Sequence, residues 1–213
     1  MTSRATAKRV RKAPAERRGE IVATAARLGL TEGLECITLR RVADELGVRP
    51  GLVSHYFPVA EELVTEAFTD ATTSELDALL PPDLQAHGGT DVLGALRRFL
   101  ALTSGDTFDD ISRLWLNARH LARYRPVLHD QVVRQELLWC KRIEELINEG
   151  VRAKLFTCAD PWAAAVRILV AVDGTSAYIN TSLQQRLAPI GDLVRTVTET
   201  ELALPAGTLL PPA

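Results

Sequence analysis

Thr38–Phe57 carries the sharpest chemical signal in the chain. Leu39, Val42, Ala43 and Leu46 share one face of a short helix that Thr38 can cap. Gly47 supplies a turn, and Pro50 opens a second short helix reaching about Phe57. Ala43 is small enough for the second helix to cross closely, Val48 plugs the corner, and Val53 and Phe57 turn back toward a core. Two helices so arranged present one to the DNA major groove while the other crosses the phosphate backbone. The same pair also occurs as plain structure, so the surrounding charge matters. Residues 1–57 hold 11 Lys or Arg against 6 Asp or Glu, whereas 58–213 hold 14 against 21. A basic N-terminal part on an acidic body points to contact with a polyanion through the first part only.

Other reactive residue types assemble less. Ser54 and His55 are adjacent, hence about 100° apart on a helix, and do not make a catalytic dyad. His55 has no second ligand at helical spacing, and Asp106, Asp109 and Asp110 lack the spacing and terminal Glu of a calcium loop. Cys36, Cys140 and Cys158 are odd in number and far apart, which suits reduced, packed thiols and excludes a zinc set. No phosphate loop, HExxH, GxSxG or paired-carboxylate motif is present. Asp173 stands inside the most apolar stretch, where a carboxylate must be paired or hydrogen-bonded. A helix-crossing network and direct contact with a ligand both answer that need. Neither cofactor nor metal is expected.

The elements that position these residues are helices. The 213 residues are 46% apolar and 24% charged, net −2, with few aromatics and few turn residues, unlike a many-stranded β sandwich. Helical periodicity runs from Pro14 to about Gly29–Gly33, then over Leu39–Leu46, Pro50–Phe57, Glu61–Leu80, Asp91–Thr103 and Phe108–Tyr124. It continues from Pro126 to about Lys154, over Trp162–Leu183, and from Pro189 to about Leu202. The expectation is therefore an all-α fold of about nine helices, with Asp83–Thr90 a loop and 205–213 a tail. On the helix from Pro126, Val133, Leu137, Cys140, Ile147 and Val151 form one apolar stripe beside Val132, Trp139, Ile143 and Leu146, so neighbours all round are expected. The basic N-terminus has no apolar stretch behind it, and Ala163–Val172 is only ten residues long with Arg167 inside. No secretory signal or membrane span is expected, and the chain reads as cytoplasmic.

ITLRRVADELGVRPGLVSHYF, followed by EEL, resembles the DNA-binding domain of TetR-type one-component transcriptional regulators over residues 14–68. Within it GLVSHYF is similar to the branch typified by the choline-responsive repressor BetI. Trp115, Gly150, Asp160-Pro161 and Val172-Asp173-Gly174 resemble that branch's ligand-binding domain more loosely. Three positions depart from the pattern: Arg49 replaces the usual capping Ser or Thr, Ser54 a common aromatic, and Ala60 a Lys.

The resemblance implies a homodimeric repressor binding a pseudo-palindromic double-stranded DNA operator and released by a small molecule. It implies a flexible basic arm over 1–13, a helix-turn-helix domain over 14–58, and a helical-bundle ligand-binding and dimerisation domain over 59–204. Carried onto this chain, Thr38, Arg40, Arg49 and Tyr56 are phosphate candidates. Ser54 and His55 suit base edges or phosphate, and Gly51 permits close backbone approach. The ligand candidates are Phe99, Trp115, Asn117, His120, Leu121, Trp139, Asp173 and Tyr178. A pocket with Trp faces and a carboxylate suits an organic cation. The dimer face implied is Trp162, Val166, Val170, Ala171, Gly174, Ala177, Leu193 and Val197. A DNA-binding protein gated by a protein partner and an all-α enzyme are the alternatives.

Overall fold

The computed structural model describes residues 13–82, 91–103, 108–181 and 188–210. The basic arm, apart from Ala13, the loop 83–90 and Asp106 lie outside them. Among the described residues ten α-helices follow one another: α1 Pro14–Glu32, α2 Leu39–Leu46, α3 Pro50–Tyr56, α4 Ala60–Leu79, α5 Val92–Leu102, α6 Phe108–Ala122, α7 Pro126–Arg152, α8 Pro161–Thr181, α9 Ala188–Gly191 and α10 Leu193–Glu201. A single tight turn, Leu34–Cys36, separates α1 from α2, and no strand occurs among the described residues. The expected all-α class holds. The expected last helix is instead broken at Gly191-Asp192 into α9 and α10, glycine being a weak helix former.

Local chemistry sets the helix starts. Proline occupies the first turn of α1, α3 and α7, where its missing N–H costs nothing. Side chains cap others: Thr38 Oγ1 accepts from the Arg41 N–H at 3.0 Å, Asp91 from Gly94 at 2.8 Å, and Asp160 from Ala163 at 2.9 Å.

Helix α4 is the central column. It packs on α1 at one end and on α6 and α7 along the rest of its length. Ile21, Phe57, Leu63 and Phe68 fill the joint, and Leu76, Leu96, Leu114, Leu128 and Ile143 fill the body, all essentially fully buried. Helix α7 is not surrounded as its two stripes suggest. Leu128, Val132, Trp139, Ile143 and Leu146 are buried, but Val133 is exposed and Leu137 is 52% exposed. Its neighbours are α4, α5, α6 and α8, and Val133 and Leu137, in the stripe that also holds Cys140, Ile147 and Val151, face away from them.

Helix α8 is long and apolar enough to cross a bilayer by length and composition. In this fold Ala164, Ala165, Ile168, Ala171 and Val172 are buried, and the helix packs on α6, α7 and α10. The segment read as a tail also packs, over 205–210. Leu209 is buried, and its N–H donates to Glu199 Oε1 at 2.8 Å, while Gly207 N–H reaches Glu199 Oε2 at 3.1 Å. Arg97 donates to the Thr208 carbonyl at 3.0 Å from α5. Glu199 is itself buried and answered by Arg195 at 3.1 Å, so an acceptor on α10 draws the segment in.

Candidate functional site

Helices α2 and α3 meet through Gly47, which adopts the left-handed conformation (φ 63°, ψ 34°) that a side chain would resist. Val48 N–H then closes the α2 terminus on the Ala43 carbonyl at 3.0 Å. Val42, Ala43, Val53 and Phe57 are fully buried, so α3 is fixed by the core side of the pair. Arg18 ties α1 to α4 with two hydrogen bonds to Glu66, at 2.6 and 2.5 Å, and its guanidinium lies 4.6 Å from the ring centroid of Phe57, which follows α3.

The outward face gathers most residues named from the sequence. Thr38, Arg40, Arg49, Gly51, Ser54 and His55 are exposed, and Tyr56 is half-buried with its ring edge-on to His55 at 5.3 Å. A Cβ on Gly51 would meet nothing within 4 Å, which leaves open surface beside α3. Thr38 has its hydroxyl oxygen committed to the α2 cap, and the Ser54 hydroxyl donates to the Pro50 carbonyl at 3.2 Å. Arg41 is engaged elsewhere, donating to Glu32 at 2.6 Å and Glu45 at 2.9 Å. Arg40, 3.9 Å from Asp44 on the same helix, and Arg49 are exposed cations on this face.

The body holds a second polar assembly. Trp115 and Arg119 from α6, Glu136 and Trp139 from α7, Leu169, Val172, Asp173 and Ser176 from α8, Glu75 from α4 and Thr103 after α5 line one cavity. The space within this lining, open mouth included, is about 350 Å³, and the centre of a water-sized sphere can occupy only about 20 Å³ of it, room for roughly one water. Arg119 donates to Asp173 at 2.7 Å and to Glu136 at 2.9 Å, and its guanidinium lies 5.1 Å from the Trp115 ring centroid. Glu75 accepts a long hydrogen bond of 3.4 Å from Trp115 Nε1. Burial pushes the Glu75 carboxyl up to about 8; the Trp115 N–H opposes that shift and the charge of Asp173 adds to it. Burial also raises Asp173, against the pull of Arg119.

Three of the eight ligand candidates, Trp115, Trp139 and Asp173, thus come together, and five do not. Asn117 lies two residues from both Trp115 and Arg119, on the other side of α6. Its Oδ1 accepts from the Leu34 N–H at 2.8 Å and its Nδ2 donates to Glu35 at 2.7 Å, tying the body to the turn before α2. Phe99 is buried in the core, Leu121 is partly buried against it, and His120 is exposed, edge-on to Tyr124 at 5.9 Å. Tyr178 is exposed on α8, five residues beyond Asp173 and so turned off its face. Glu75, Arg119 and Glu136 were missed. Glu75 had a readable signal: it interrupts the apolar stripe Phe68, Thr72, Leu76 of α4 much as Asp173 interrupts α8.

On the outer side of α8 and α10, Trp162, Val170, Gly174 and Leu193 are exposed, and Val166, Ala177 and Val197 half-buried. Ala171 does not belong with them. It is 7% exposed and sits in the protomer's own core, one residue and about 100° from Val170 at 61%.

No family model matches the chain, and no curated protein matches it in sequence. Solved structures do share the fold. A Rhodococcus sp. protein described as a TetR-family transcriptional regulator superposes with a TM-score of 0.72 at 21% identity, covering 88% of this chain and 99% of that one. A Saccharomonospora viridis protein described as a transcriptional regulator, solved in complex with choline, gives 0.69 at 21%, covering 87% and 95%. A TetR transcription regulator from Haloarcula marismortui gives 0.69 at 20%, covering 88% and 95%.

Proposed function

We propose that this chain is a dimeric TetR-type transcriptional regulator, a repressor that releases its operator when a small molecule enters the cavity around Trp115 and Trp139. The observation that carries the reading is the exposed face of α2 and α3, with Arg40 on α2 and Arg49, Ser54 and His55 at α3 facing outward over the buried Val42, Ala43, Val53 and Phe57. Hydrogen-bonding groups on a helix of that size match base edges and phosphates in a major groove. Residues 14–58 serve as the DNA-binding domain and 59–204 as the regulatory one. Operator binding places the protein with the DNA, in the cytoplasm.

Two half-sites lie about 34–36 Å apart on one DNA face, so operator affinity calls for two copies of α3. Trp162, Val166, Val170, Gly174, Ala177, Leu193 and Val197 supply an apolar face for pairing two copies through α8 and α10. The cavity supports effector control because it is narrow: a ligand much larger than water has to part α4, α6, α7 and α8. A ligand that must move helices has unequal affinity for two arrangements, which is what a coupled response requires. Helix α6 offers the route outward, with Trp115 and Arg119 on the cavity and Asn117 on the turn before α2. The choline held by the Saccharomonospora viridis protein supports a small-molecule effector in this fold.

The test is an electrophoretic shift of DNA flanking the chain's own coding region by the purified protein. A discrete complex that competitor DNA does not remove is expected. Equal binding to any sequence would refute the reading.

A further inference from the structure

A second cleft lies between α5, the joint of α9 and α10, and the 205–210 segment, lined by Arg97, Leu100, Val194, Arg195, Leu209 and Leu210. It is roomier than the space around Trp115: the centre of a water-sized sphere can occupy about 160 Å³ of it, against about 20 Å³ there. A volume of about 150 Å³ admits a benzene-sized molecule. Arg195 stands two residues from both Leu193 and Val197, about 160° round α10 from each, so its wall of the cleft turns away from the pairing face proposed above.

The walls are largely apolar, and the two cations on them are unequally matched. Arg195 is answered twice, by Asp192 at 2.7 Å and by Glu199 at 3.1 Å. Glu199 in turn accepts from the Gly207 and Leu209 N–H groups. Arg97 is half-buried and commits Nε and Nη2 to one acceptor, the Thr208 carbonyl, at 3.3 and 3.0 Å. Among the described residues no carboxylate pairs with it. A half-buried guanidinium answered only by a carbonyl dipole is short of an anion, and its remaining parallel N–H groups match the two oxygens of a carboxylate.

We propose that this cleft is a second ligand site, taking a small organic carboxylate whose charge pairs with Arg97 and whose apolar body lies on Leu100, Val194 and Leu209. Inorganic phosphate has no apolar part to bury there, and Asp192 on the same wall repels a dianion more than a monoanion. Leu209 and Leu210 form part of the cleft, and Thr208 shares Arg97, so an occupant holds the 205–210 segment against α5 and α10. The site is independent of operator binding, and a failure to bind DNA leaves it standing.

Titration calorimetry on the full chain tests this with three probes: benzoate, uncharged benzyl alcohol and inorganic phosphate. Benzoate binds, benzyl alcohol binds about 10–100-fold more weakly for want of the charge-assisted pair, and phosphate fails to bind at millimolar concentration. Amide exchange read by mass spectrometry locates the site, because saturating benzoate slows exchange over 205–210 and leaves α6 and α7 unchanged. Arg97→Gln keeps a donor for the Thr208 carbonyl but loses the charge, and brings benzoate down to the level of benzyl alcohol. Arg97→Lys, with the charge but without the planar fork, falls between. The urea midpoint of each variant is measured alongside, and a lowered midpoint with benzoate affinity intact would make Arg97 a structural residue and overturn the proposal. Equal binding of benzoate and benzyl alcohol, phosphate binding as tightly as benzoate, unchanged exchange over 205–210, or no benzoate binding at millimolar concentration overturns it equally.

Discussion

Replacing Asn117 with Ala removes the side chain that joins α6 to the turn preceding α2. The Leu34 N–H loses its 2.8 Å acceptor, and Glu35 loses a 2.7 Å donor at the surface. An orphaned, partly buried N–H costs about 1–3 kcal/mol, and the exposed Glu35 bond adds little. For a chain of this length that is a fall of roughly 2–10 °C in melting temperature. Asn117→Asp separates the two bonds, since it keeps the acceptor for Leu34 but sets a carboxylate against Glu35, a repulsion of about 1 kcal/mol in solvent. Asn117 points away from the cavity, so neither variant should change effector affinity measured without DNA. Both should shrink the effect of effector on operator affinity, of the order of 5–150-fold in a coupled regulator. Calorimetry for the effector and fluorescence anisotropy for operator DNA, with and without effector, measure the two quantities. A variant that loses effector affinity tenfold or more yet keeps its coupling would return Asn117 to the pocket and refute the reasoning.

Val170→Glu, on the exposed side of α8, should give a folded monomer by sedimentation and abolish operator binding, whereas Ala171→Glu should unfold the protomer. A Val170→Glu dimer would move the interface elsewhere. Glu199→Ala leaves two N–H groups near the buried C-terminal turn without their acceptor and Arg195 with Asp192 as its remaining ion-pair partner, and should cost about 3 kcal/mol by urea unfolding. A loss below about 0.5 kcal/mol would mean that the 205–210 segment contributes nothing to stability. Because the Glu75 carboxyl is raised to about 8, the folded state holds a proton that the unfolded chain releases near its ordinary value. That stability is complete below the unfolded pKa and is lost as pH climbs through 8, at up to about 1.4 kcal/mol per pH unit. Urea midpoints of wild type against Glu75→Gln between pH 5 and 9 should diverge accordingly, and parallel curves would place Glu75 in solvent.

The helices were legible because their boundaries are written locally, in Pro14, Thr38, Gly47, Pro50, Pro126 and Asp160-Pro161. The α2–α3 unit was legible for the same reason, as its turn, caps and anchors all lie within twenty residues. The cavity was not. Trp115 and Trp139 show as aromatics on apolar faces, but which faces meet depends on helix crossings that no local pattern encodes. Arg119 and Glu136 carry no local mark, and even Glu75, which interrupts the apolar stripe of α4, joins them only through the approach of α4, α6, α7 and α8. Ala171 was misplaced by a single step on α8, about 100° of rotation and the difference between surface and core, and Asn117 by two residues on α6, the difference between pocket and joint. The packing of Leu209 needed a buried acceptor ten residues away at Glu199.

The central claim is that α3 reads DNA. Selection of duplexes from a random pool by the full chain, followed by anisotropy titration of the winner, measures it directly. Two copies of one half-site should emerge, spaced by about one helical turn or a multiple, and His55→Ala should weaken binding by about 1–3 kcal/mol with helicity intact. A pool that never enriches, or an enriched site bound equally well by His55→Ala and Arg49→Ala variants, would contradict it.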